Sequence, residues 1–354
     1  MKYLFLILLM NIFRVLGQQP SITCNYLIST NNEYTCRMEI YNPSGLNNFR
    51  EVNGTHLENM SSSDVIRIEI FGSTRNTLNF PSIICLTFTN VVTIDFTRAE
   101  IQRIDAGSFK RCTILEVLFL DSNRISHINE DAFFNNRELR ILHFSHNQLI
   151  EVPENTFVHL HQLIRLSLTG NNISDFADNT FKSLTSLETL NLAKTRITKL
   201  RSSWFETLEN LQILWIYENS IDDFPEGIFA PLKNMWLLTA FHMNLTVIHS
   251  SSFGPLPRLN SVDFHANQID AFDEKFMDNT DVGTLDMMSN VCANDWMSDN
   301  KPSRETLRAT MRICFENYRR LVNGATPTSK SFLYPFGLVF LYVSLGLRFQ
   351  FSQS

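Results

Sequence analysis

The segment LEVLFLDSNRI, residues 115–125, decides the fold because it recurs through the chain at one constant interval. Its apolar positions are Leu115, Leu118, Leu120 and Ile125, and its polar turn is marked by Asn123. The later copies begin, evenly spaced, at Leu139, Leu163, Leu187, Leu211, Met235 and Leu259. An earlier copy at Val91 is in phase, and a copy at Val282 is one residue short and ends the array. Neither a helical heptad nor simple strand alternation produces this period.

Each copy predicts one short β-strand followed by a turn. Leu118 and Leu120 are two residues apart and point to the same side of a strand, which places both in the interior. Asn123 comes where the chain leaves the strand, and its carboxamide offers donors and an acceptor to buried backbone groups. The equivalent residues are Asn147, Asn171, Asn219, Asn267 and Asn290. Thr195 and Met243 replace the asparagine in two copies, where we expect weaker turns.

A column of aromatic residues marks the second half of each copy. Its members are Phe109, Phe133, Phe157, Phe181, Phe205, Phe229 and Phe253, followed by Met277. We interpret the column as a packed spine. A copy buries about seven apolar side chains, each stabilising by roughly 1.5–3 kcal/mol, but ordering its residues costs about 1–2 kcal/mol apiece. One copy cannot fold alone, so neighbouring copies and capped ends are required.

This pattern resembles the 24-residue class of extracellular leucine-rich repeats found in Toll-like receptors and in insect adhesion proteins such as connectin and chaoptin. The resemblance covers the eight in-phase copies that start between Val91 and Leu259. It implies an α/β solenoid, a curved right-handed superhelix with short parallel strands on the concave face. The phenylalanine spine then lies on the convex side, and a cap closes each end.

The predicted organisation has five parts. They are a signal peptide at 1–17, an N-terminal cap at 18–63, the solenoid at 64–291, a helical cap at 292–323 and a hydrophobic segment at 324–354. Val65, Ile68 and Ile70 form one irregular strand at the front of the solenoid. The helical cap begins after Ser303, a suitable N-cap. One face of this helix is apolar, with Leu307, Met311, Cys314, Tyr318 and Leu321.

Six cysteines occur in a chain that we expect to be extracellular, where disulfides persist. Cys24 and Cys36 bracket a short loop of the N-terminal cap, and we pair them. Cys292 follows the last copy, and the helical cap brings Cys314 to it. The remaining two, Cys85 and Cys112, point inward in adjacent turns, either as a disulfide or as two buried thiols. Caps of the resembled family usually carry four cysteines each, whereas these carry two.

The two ends predict secretion. Residues 1–17 have a lysine and then an apolar run, the layout of a cleaved signal peptide. The C-terminal apolar run, 331–347, comes after a group of small residues that begins at Asn323. We interpret this arrangement as a lipid-anchor signal with Asn323 as the modified residue. A single membrane span or a merely hydrophobic tail are the alternatives. Removing both ends takes away four positive charges and no acid, so the formal net charge changes from −6 to −10.

The motifs of common catalytic and metal sites do not occur in this sequence. It contains no phosphate-binding glycine loop, no GxSxG elbow and no CxxC or HExxH pair. The closely spaced pairs His143/His146 and His159/His161 are interpreted as surface or packing residues that meet no carboxylate, and we expect neither a metal nor a cofactor. The acidic charge argues against nucleic-acid partners, because phosphate binding needs clustered basic residues. The chain is therefore predicted not to be an enzyme.

The concave strand positions are the candidate binding surface. One column holds Thr93, Phe119, His143, Ser167, Asn191, Trp215, Thr239 and Asp263, and the next holds Thr97, Asp121, Ser145, Thr169, Ala193, Tyr217, Phe241 and His265. Exposed aromatic residues on a rigid sheet anchor protein interfaces. We therefore predict partner contacts at Trp215, Tyr217, Phe241, His242, His265 and Phe119. Cover by a glycan or by the cap helix is the alternative.

Four glycosylation sequons, at Asn53, Asn59, Asn172 and Asn244, agree with a secreted chain. The resemblance implies a cell-surface adhesion or receptor-type protein on the extracellular face of the plasma membrane. Its partner is expected to be a cell-surface protein ligand or receptor, with a homodimer as a further possibility. The alternative is a soluble, secreted protein of innate immunity and pattern recognition.

Overall fold

The computed structural model describes residues 20–42, 49–70, 79–292, 296–298 and 303–322. Each turn of the chain adds one short parallel strand to a 14-stranded sheet, and strands are numbered along the chain. The parallel strands are β4 (Arg67–Ile70), β5 (Thr93–Asp95), β7 (Val117–Phe119), β9 (Ile141–His143), β10 (Arg165–Ser167), β11 (Thr189–Asn191), β12 (Ile213–Trp215), β13 (Leu237–Thr239), β15 (Ser261–Asp263) and β17 (Thr284–Asp286). The predicted curved solenoid with parallel strands is confirmed.

The repeat length fixes the register of the sheet. Leu142 pairs with Leu166, which pairs with Leu190, so equivalent residues of successive copies lie side by side. Between β15 and β17 the step is one residue shorter, with Val262 opposite Leu285, as the short last copy requires. Every inward leucine therefore packs on its equivalents in the neighbouring turns. This is how each turn supplies the burial that one copy lacks.

Small elements fill the rest of each turn. Two pairs of short parallel strands, β6 (Arg103–Ile104) with β8 (His127–Ile128) and β14 (Val247–Ile248) with β16 (Ala271–Phe272), lie outside the main sheet. The short helices are α1 (Ile83–Thr87) and α2 (Phe276–Asn279), and 3-10 turns occur at Ser62–Asp64, Ser202–Trp204 and Ser250–Ser252. These compact connections leave the aromatic spine covered.

The asparagine column forms a hydrogen-bond ladder that is interrupted at Thr195 and Met243. The Oδ1 atom of Asn147 accepts from the backbone N–H of Ile125 at 2.9 Å. Its Nδ2 atom donates to the carbonyls of Leu120 at 2.9 Å and Phe144 at 3.0 Å. Each carboxamide thus joins its own turn to the preceding one, as the sequence predicts. Where Thr195 replaces asparagine, its hydroxyl oxygen lies 2.9 Å from the Leu192 carbonyl oxygen and 2.7 Å from Asn219 Oδ1, and its single hydrogen can be donated to either acceptor.

A left-handed residue precedes each ladder position. The residues with positive φ at this point are Arg98, Ser122, His146, Gly170, Lys194, Glu218, His242, Ala266 and Ser289. The conformation turns the chain sharply out of the strand, at a cost of roughly 1–2 kcal/mol for a residue other than glycine. Gly170 has a second reason to be glycine, since a Cβ there would lie 2.6 Å from Nδ1 of His146.

The phenylalanine spine is confirmed as core. Phe109, Phe157, Phe181, Phe205, Phe229 and Phe253 have no exposed surface, and Phe133 is 1% exposed. Phe109 stacks on Phe133 with ring centroids 5.6 Å apart. Ring contacts also join Phe205 to Phe229 at 6.2 Å and Phe229 to Phe253 at 5.1 Å. The spine therefore contributes packing rather than a binding surface.

The N-terminal end of the sheet is closed by an antiparallel hairpin. Strands β1 (Ser21–Ile28) and β2 (Tyr34–Tyr41) pair with each other, β3 (Val52–Asn53) pairs with β1, and β2 continues into the solenoid beside β4. Cys24 and Cys36 form a disulfide within the hairpin. The open alternative for Cys85 and Cys112 is also decided, since they form a disulfide between adjacent turns.

The C-terminal end is closed by a strand and a helix. Strand β18 (Trp296–Ser298) pairs antiparallel with β17, and helix α3 (Arg304–Val322) follows. The backbone N–H of Thr306 donates to the Ser303 hydroxyl at 3.2 Å, as expected of an N-cap. Leu307, Met311 and Cys314 are buried, which confirms the apolar face. Cys314 is disulfide-bonded to Cys292.

The predictions for both termini fall outside the described residues. They concern the signal peptide at 1–17, the hydrophobic segment at 324–354 and the lipid attachment at Asn323. In the described part, no helix has both the length and the apolar character that crossing a bilayer requires.

Candidate functional site

The strand register corrects one of the two concave columns. Thr93 pairs with Val117, whereas Asp95 pairs with Phe119. The column that contains Phe119 and Trp215 therefore has Asp95 on β5, and Thr93 belongs two positions earlier on the same strand. Side chains two residues apart on a strand share a face, so Thr93 lies on the predicted face but one repeat interval before Val117 rather than before Phe119.

Three rings of the second column stack in sequence. Tyr217 and Phe241 have centroids 4.4 Å apart and planes 8° apart, and Phe241 and His265 have centroids 4.5 Å apart and planes 15° apart. We call Tyr217, Phe241 and His265 the aromatic stack. Its spacing follows from the sheet, because equivalent residues on neighbouring strands are separated by about 4.7–4.9 Å.

His242 extends the aromatic stack outward. Its ring lies edge-on to Phe241 at 5.7 Å and to His265 at 5.3 Å. His242 is exposed, whereas the three stacked rings are only half-exposed because each covers a face of the next. The aromatic residues predicted to be exposed are therefore partly covered within the stack.

The other two predicted contact residues lie apart from the stack. Trp215, half-buried at the end of β12, belongs to the neighbouring column, and among the described residues no ring contact joins it to the stack. Phe119 lies on β7, four strands from β12 in the sheet order, and packs edge-on against His143 at 5.1 Å. The six predicted residues therefore do not form one patch, and Phe119 is separated from the others.

The sequence interpretation missed two exposed apolar residues on the turns that carry the stack or adjoin it. Met288 is the next member of the stack's column after His265 and is 49% exposed. Trp236, which immediately precedes β13 at the end opposite Phe241, is 41% exposed. Extending the column through the shortened last copy gives Met288. Trp236 occupies an outward position that belongs to neither of the two columns.

Charged groups border the stack on its N-terminal side. Lys194 forms an ion pair with Glu218 at 3.0 Å, and its Nζ atom lies 6.0 Å from the centroid of the Tyr217 ring. The hydrogen bond to Glu218 and its charge raise the pKa of Lys194. The ammonium group therefore stays protonated beside the ring, where a cation and an aromatic face attract each other.

One histidine thought to meet no carboxylate does meet one. His143 Nδ1 lies 3.5 Å from an Asp121 carboxylate oxygen across neighbouring strands. Burial raises the pKa of Asp121, but hydrogen bonds from His143 and Ser145 outweigh it and hold the pKa below its ordinary value. His159 instead packs on Phe134, and His161 lies 3.1 Å from the Ser183 carbonyl.

A cluster of possible metal ligands lies at the C-terminal edge of the stack. Asp263, His265 and Asp286 each offer one ligand atom, and these atoms lie within 4.8 Å of one another. The expectation of no metal ligands overlooked this cluster. No local sequence motif predicts this cluster, because its ligands come from two neighbouring strands and from two successive copies.

All four sequon asparagines are exposed in the structure. Asn53 ends β3 and Asn59 lies in the loop that follows, while Asn172 and Asn244 each come one residue after a ladder position. Their side chains are accessible to a glycosyltransferase, and their modification remains a prediction.

Two surface depressions in the described part of the chain lie away from the stack. One of about 450 Å³ borders Cys85, Leu86 and Lys110, and another of about 440 Å³ borders Asn79, Asp105 and Ser108. Cys85 is disulfide-bonded, and neither depression is lined by a histidine that could act as a base.

Comparisons with known proteins agree with this architecture. The sequence profile of the leucine-rich-repeat family matches residues 89–149, 137–197 and 185–245. No curated protein sequence matches the chain. Among solved structures, the leucine-rich-repeat domain of APL1 is similar with a TM-score of 0.58 and 18% identity, over 77% of this chain and 65% of that one.

Two further similar structures come from complexes. TLR13, solved with ssRNA13, gives a TM-score of 0.56 and 24% identity over 64% of this chain and 32% of that one. The octameric complex of Latrophilin 3, Unc5D and the leucine-rich repeats of FLRT2 gives a TM-score of 0.53 and 24% identity, over 63% of this chain and 65% of that one. The chain thus spans about a third of the TLR13 chain and just under two thirds of the APL1 chain. At these identities the likeness concerns the fold.

Proposed function

The chain is a leucine-rich-repeat protein, and from this premise we propose that it is an extracellular module that binds a partner protein through the concave aromatic stack. The observation that carries the proposal is the continuous stack of Tyr217, Phe241 and His265 on a rigid sheet. Stacked rings are already ordered, so they bury area against a partner with little further loss of rotamer freedom.

The surroundings of the stack fit the same role. Met288 adds exposed apolar area beyond His265, Trp236 adds more at the far end of β13, and Lys194 with Glu218 adds a polar border. A half-buried aromatic centre with a charged rim is the arrangement in which a few residues carry most of the binding energy. Among the described residues we find no catalytic set, so we propose that the protein is not an enzyme.

The partner's chemistry follows from charge. The formal net charge of −6 opposes binding to nucleic acid, although TLR13 was solved with RNA. FLRT2 was solved in a complex with other proteins. We therefore propose a cell-surface protein ligand, with adhesion or receptor-type recognition as the role.

The first test measures binding of single variants. The purified, fluorescent extracellular part is screened against cells that display individual surface proteins, and affinity for the identified partner is then measured. Tyr217→Ala and Phe241→Ala should each weaken binding by about 1–2 kcal/mol or more, which is roughly five- to thirtyfold. Phe134→Ala is the matched control, because Phe134 is a phenylalanine exposed by 48% and lies outside the stack. Equal affinity for all three variants would reject the stack as the binding site.

A second test concerns attachment. If the segment at 324–354 is a lipid-anchor signal, a phosphatidylinositol-specific lipase releases the protein from intact cells, and mass spectrometry finds a modified residue near Asn323. Secretion of the protein without any cell-bound fraction would instead favour the soluble immune role. Retention after lipase treatment, with an intact tail, would favour a membrane span.

A further inference from the structure

We propose that Asp263, His265 and Asp286 bind one divalent transition-metal ion of the zinc type at the C-terminal edge of the concave face. The inference goes beyond partner binding and does not depend on it. It rests on the position of these three side chains, on the hydrogen bonds that orient them and on the charge they leave unbalanced.

The three ligands come from rigid, adjacent strands. Asp263 ends β15 and Asp286 ends β17, and the two residues are direct partners in the parallel register. His265 follows Asp263 by two residues, and the ligand atoms of the three lie within 4.8 Å of one another. Ligands at about 2.0–2.2 Å from one zinc ion are separated from each other by up to about 4 Å. Small side-chain rotations close the remaining gap.

Each ligand is oriented before an ion arrives. Oδ1 of Asp263 accepts from the backbone N–H of His265 at 3.0 Å and lies 2.6 Å from that residue's Nδ1. Oδ1 of Asp286 accepts from the backbone N–H of Met288 at 2.9 Å. Stacking on Phe241 at 4.5 Å fixes the plane of the His265 ring. No described residue donates a hydrogen bond to Oδ2 of either aspartate, so each keeps an oxygen available.

At least one of the two negative charges of the cluster is uncompensated, whatever the protonation of His265. Within the described ranges, neither aspartate forms an ion pair with a lysine or arginine, and the partner of Asp263 is His265. Two like charges directly opposite on neighbouring strands destabilise a sheet. A bound cation removes this repulsion.

The ligand chemistry selects the class of ion. Two carboxylates with one imidazole suit zinc and its neighbours, whereas Ca²⁺ and Mg²⁺ prefer oxygen ligands alone. Three protein ligands also leave a fourth position of a tetrahedral ion open to water. That position lies beside the aromatic stack, on the face that we propose for the partner.

The test measures metal binding in the absence of any partner. The mature full-length protein is stripped with a chelator, and Zn²⁺, Ca²⁺ and Mg²⁺ are titrated separately by isothermal calorimetry. We expect one Zn²⁺ per chain, with weaker Ca²⁺ and Mg²⁺. His265→Ala and Asp286→Asn should each reduce Zn²⁺ affinity by at least about tenfold, while far-UV circular dichroism stays unchanged.

The matched control is His143→Ala. His143 faces the Asp121 carboxylate across neighbouring strands, but no third ligand among the described residues joins this pair. The His143→Ala variant should bind Zn²⁺ with the same affinity as the unsubstituted chain. No Zn²⁺ binding at millimolar concentration, or equal losses in all three variants, overturns the proposal. The proposal is also overturned if Asp286→Asn weakens the partner complex while treatment with a chelator changes neither partner binding nor the metal content of the protein. In that case a basic side chain of the partner, rather than a metal ion, occupies the carboxylates.

Discussion

At the scale of single residues, a buried carboxamide in most turns satisfies backbone groups that the sheet leaves without partners. Asn123, Asn147, Asn171 and Asn267 each join the turn that contains them to the preceding turn. This role was predictable because it depends on one residue type at one constant interval. The aromatic stack was less predictable, because ring stacking between neighbouring strands decides how much of Tyr217 or Phe241 remains exposed.

We expect Asn147→Ala to lower the free energy of unfolding by about 2–4 kcal/mol. The substitution leaves the buried N–H of Ile125 without its partner, which costs about 1–3 kcal/mol. It also removes one of the two carboxamide donors at the carbonyls of Leu120 and Phe144, which keep Asn123 and Asn171 as donors. Urea denaturation measures the change. Gln148→Ala, at the exposed neighbouring position, should shift the midpoint little, and an equal shift in both variants would contradict the ladder's role.

Asp121 predicts an acid-dependent contribution to stability. Because the folded pKa of this carboxyl lies below its ordinary value, the carboxylate stabilises the fold above the unfolded pKa of about 3.9 and loses that effect as pH falls through the folded value. Asp121→Asn should therefore be less stable than the unsubstituted chain at pH 7, and the difference should shrink below about pH 4. The measurement is thermal unfolding at a series of pH values. A difference for Asp121→Asn that is constant with pH would argue against the mechanism.

At the scale of elements, the caps differ from the repeats they close. At the N-terminal end, the hairpin of β1 and β2 with its disulfide Cys24–Cys36 replaces a regular turn. At the C-terminal end, helix α3 with its disulfide Cys292–Cys314 does the same. The helix and its N-cap at Ser303 were predictable because capping and amphipathic spacing are local signals. The hairpin was not, since strand pairing in the cap depends on partners that no repeat specifies.

Helix α3 should stabilise the last turns through its buried face. Met311 has no exposed surface, whereas Ile313 on the same helix is 53% exposed. Met311→Ala should reduce the free energy of unfolding by about 2–5 kcal/mol, and Ile313→Ala should change it by less than about 0.5 kcal/mol. Hydrogen exchange of β15 and β17 should accelerate only in the first variant. Equal hydrogen-exchange protection of β15 and β17 in both variants would mean that the helix does not stabilise the C-terminal end of the solenoid.

At the scale of the whole molecule, one repeat length sets the register of the entire sheet. The repeat interval is constant from Leu115 to Leu259, so the sequence predicts the solenoid architecture. The column assignment failed at Thr93, where the preceding step, from Ile68 to Ile94, is longer than the later ones and the regular pattern has only just begun. The metal-ligand cluster also escaped, because it depends on which outward side chains become neighbours across strands.

Removing one complete turn should leave a folded protein. Deletion of residues 163–186 joins the turn of β9 to that of β11 in the same phase and spares both caps and the aromatic stack. Deletion of residues 163–174 puts every later leucine out of register. Circular dichroism and thermal unfolding should show a cooperative transition for the first deletion and none for the second, because each turn depends on matched neighbours. Cooperative unfolding of both deletions would contradict a register-dependent core.

The outermost strands of the main sheet, β3 with two residues and β18 with three, have a consequence for self-association. A pile of equal coils is by nature extensible, because a long uncovered final strand is a template on which another molecule adds its own backbone, and repeated addition yields fibrils. Strands this brief offer few free amides to an incoming chain. These short edge strands thus oppose the edge-to-edge addition of further chains.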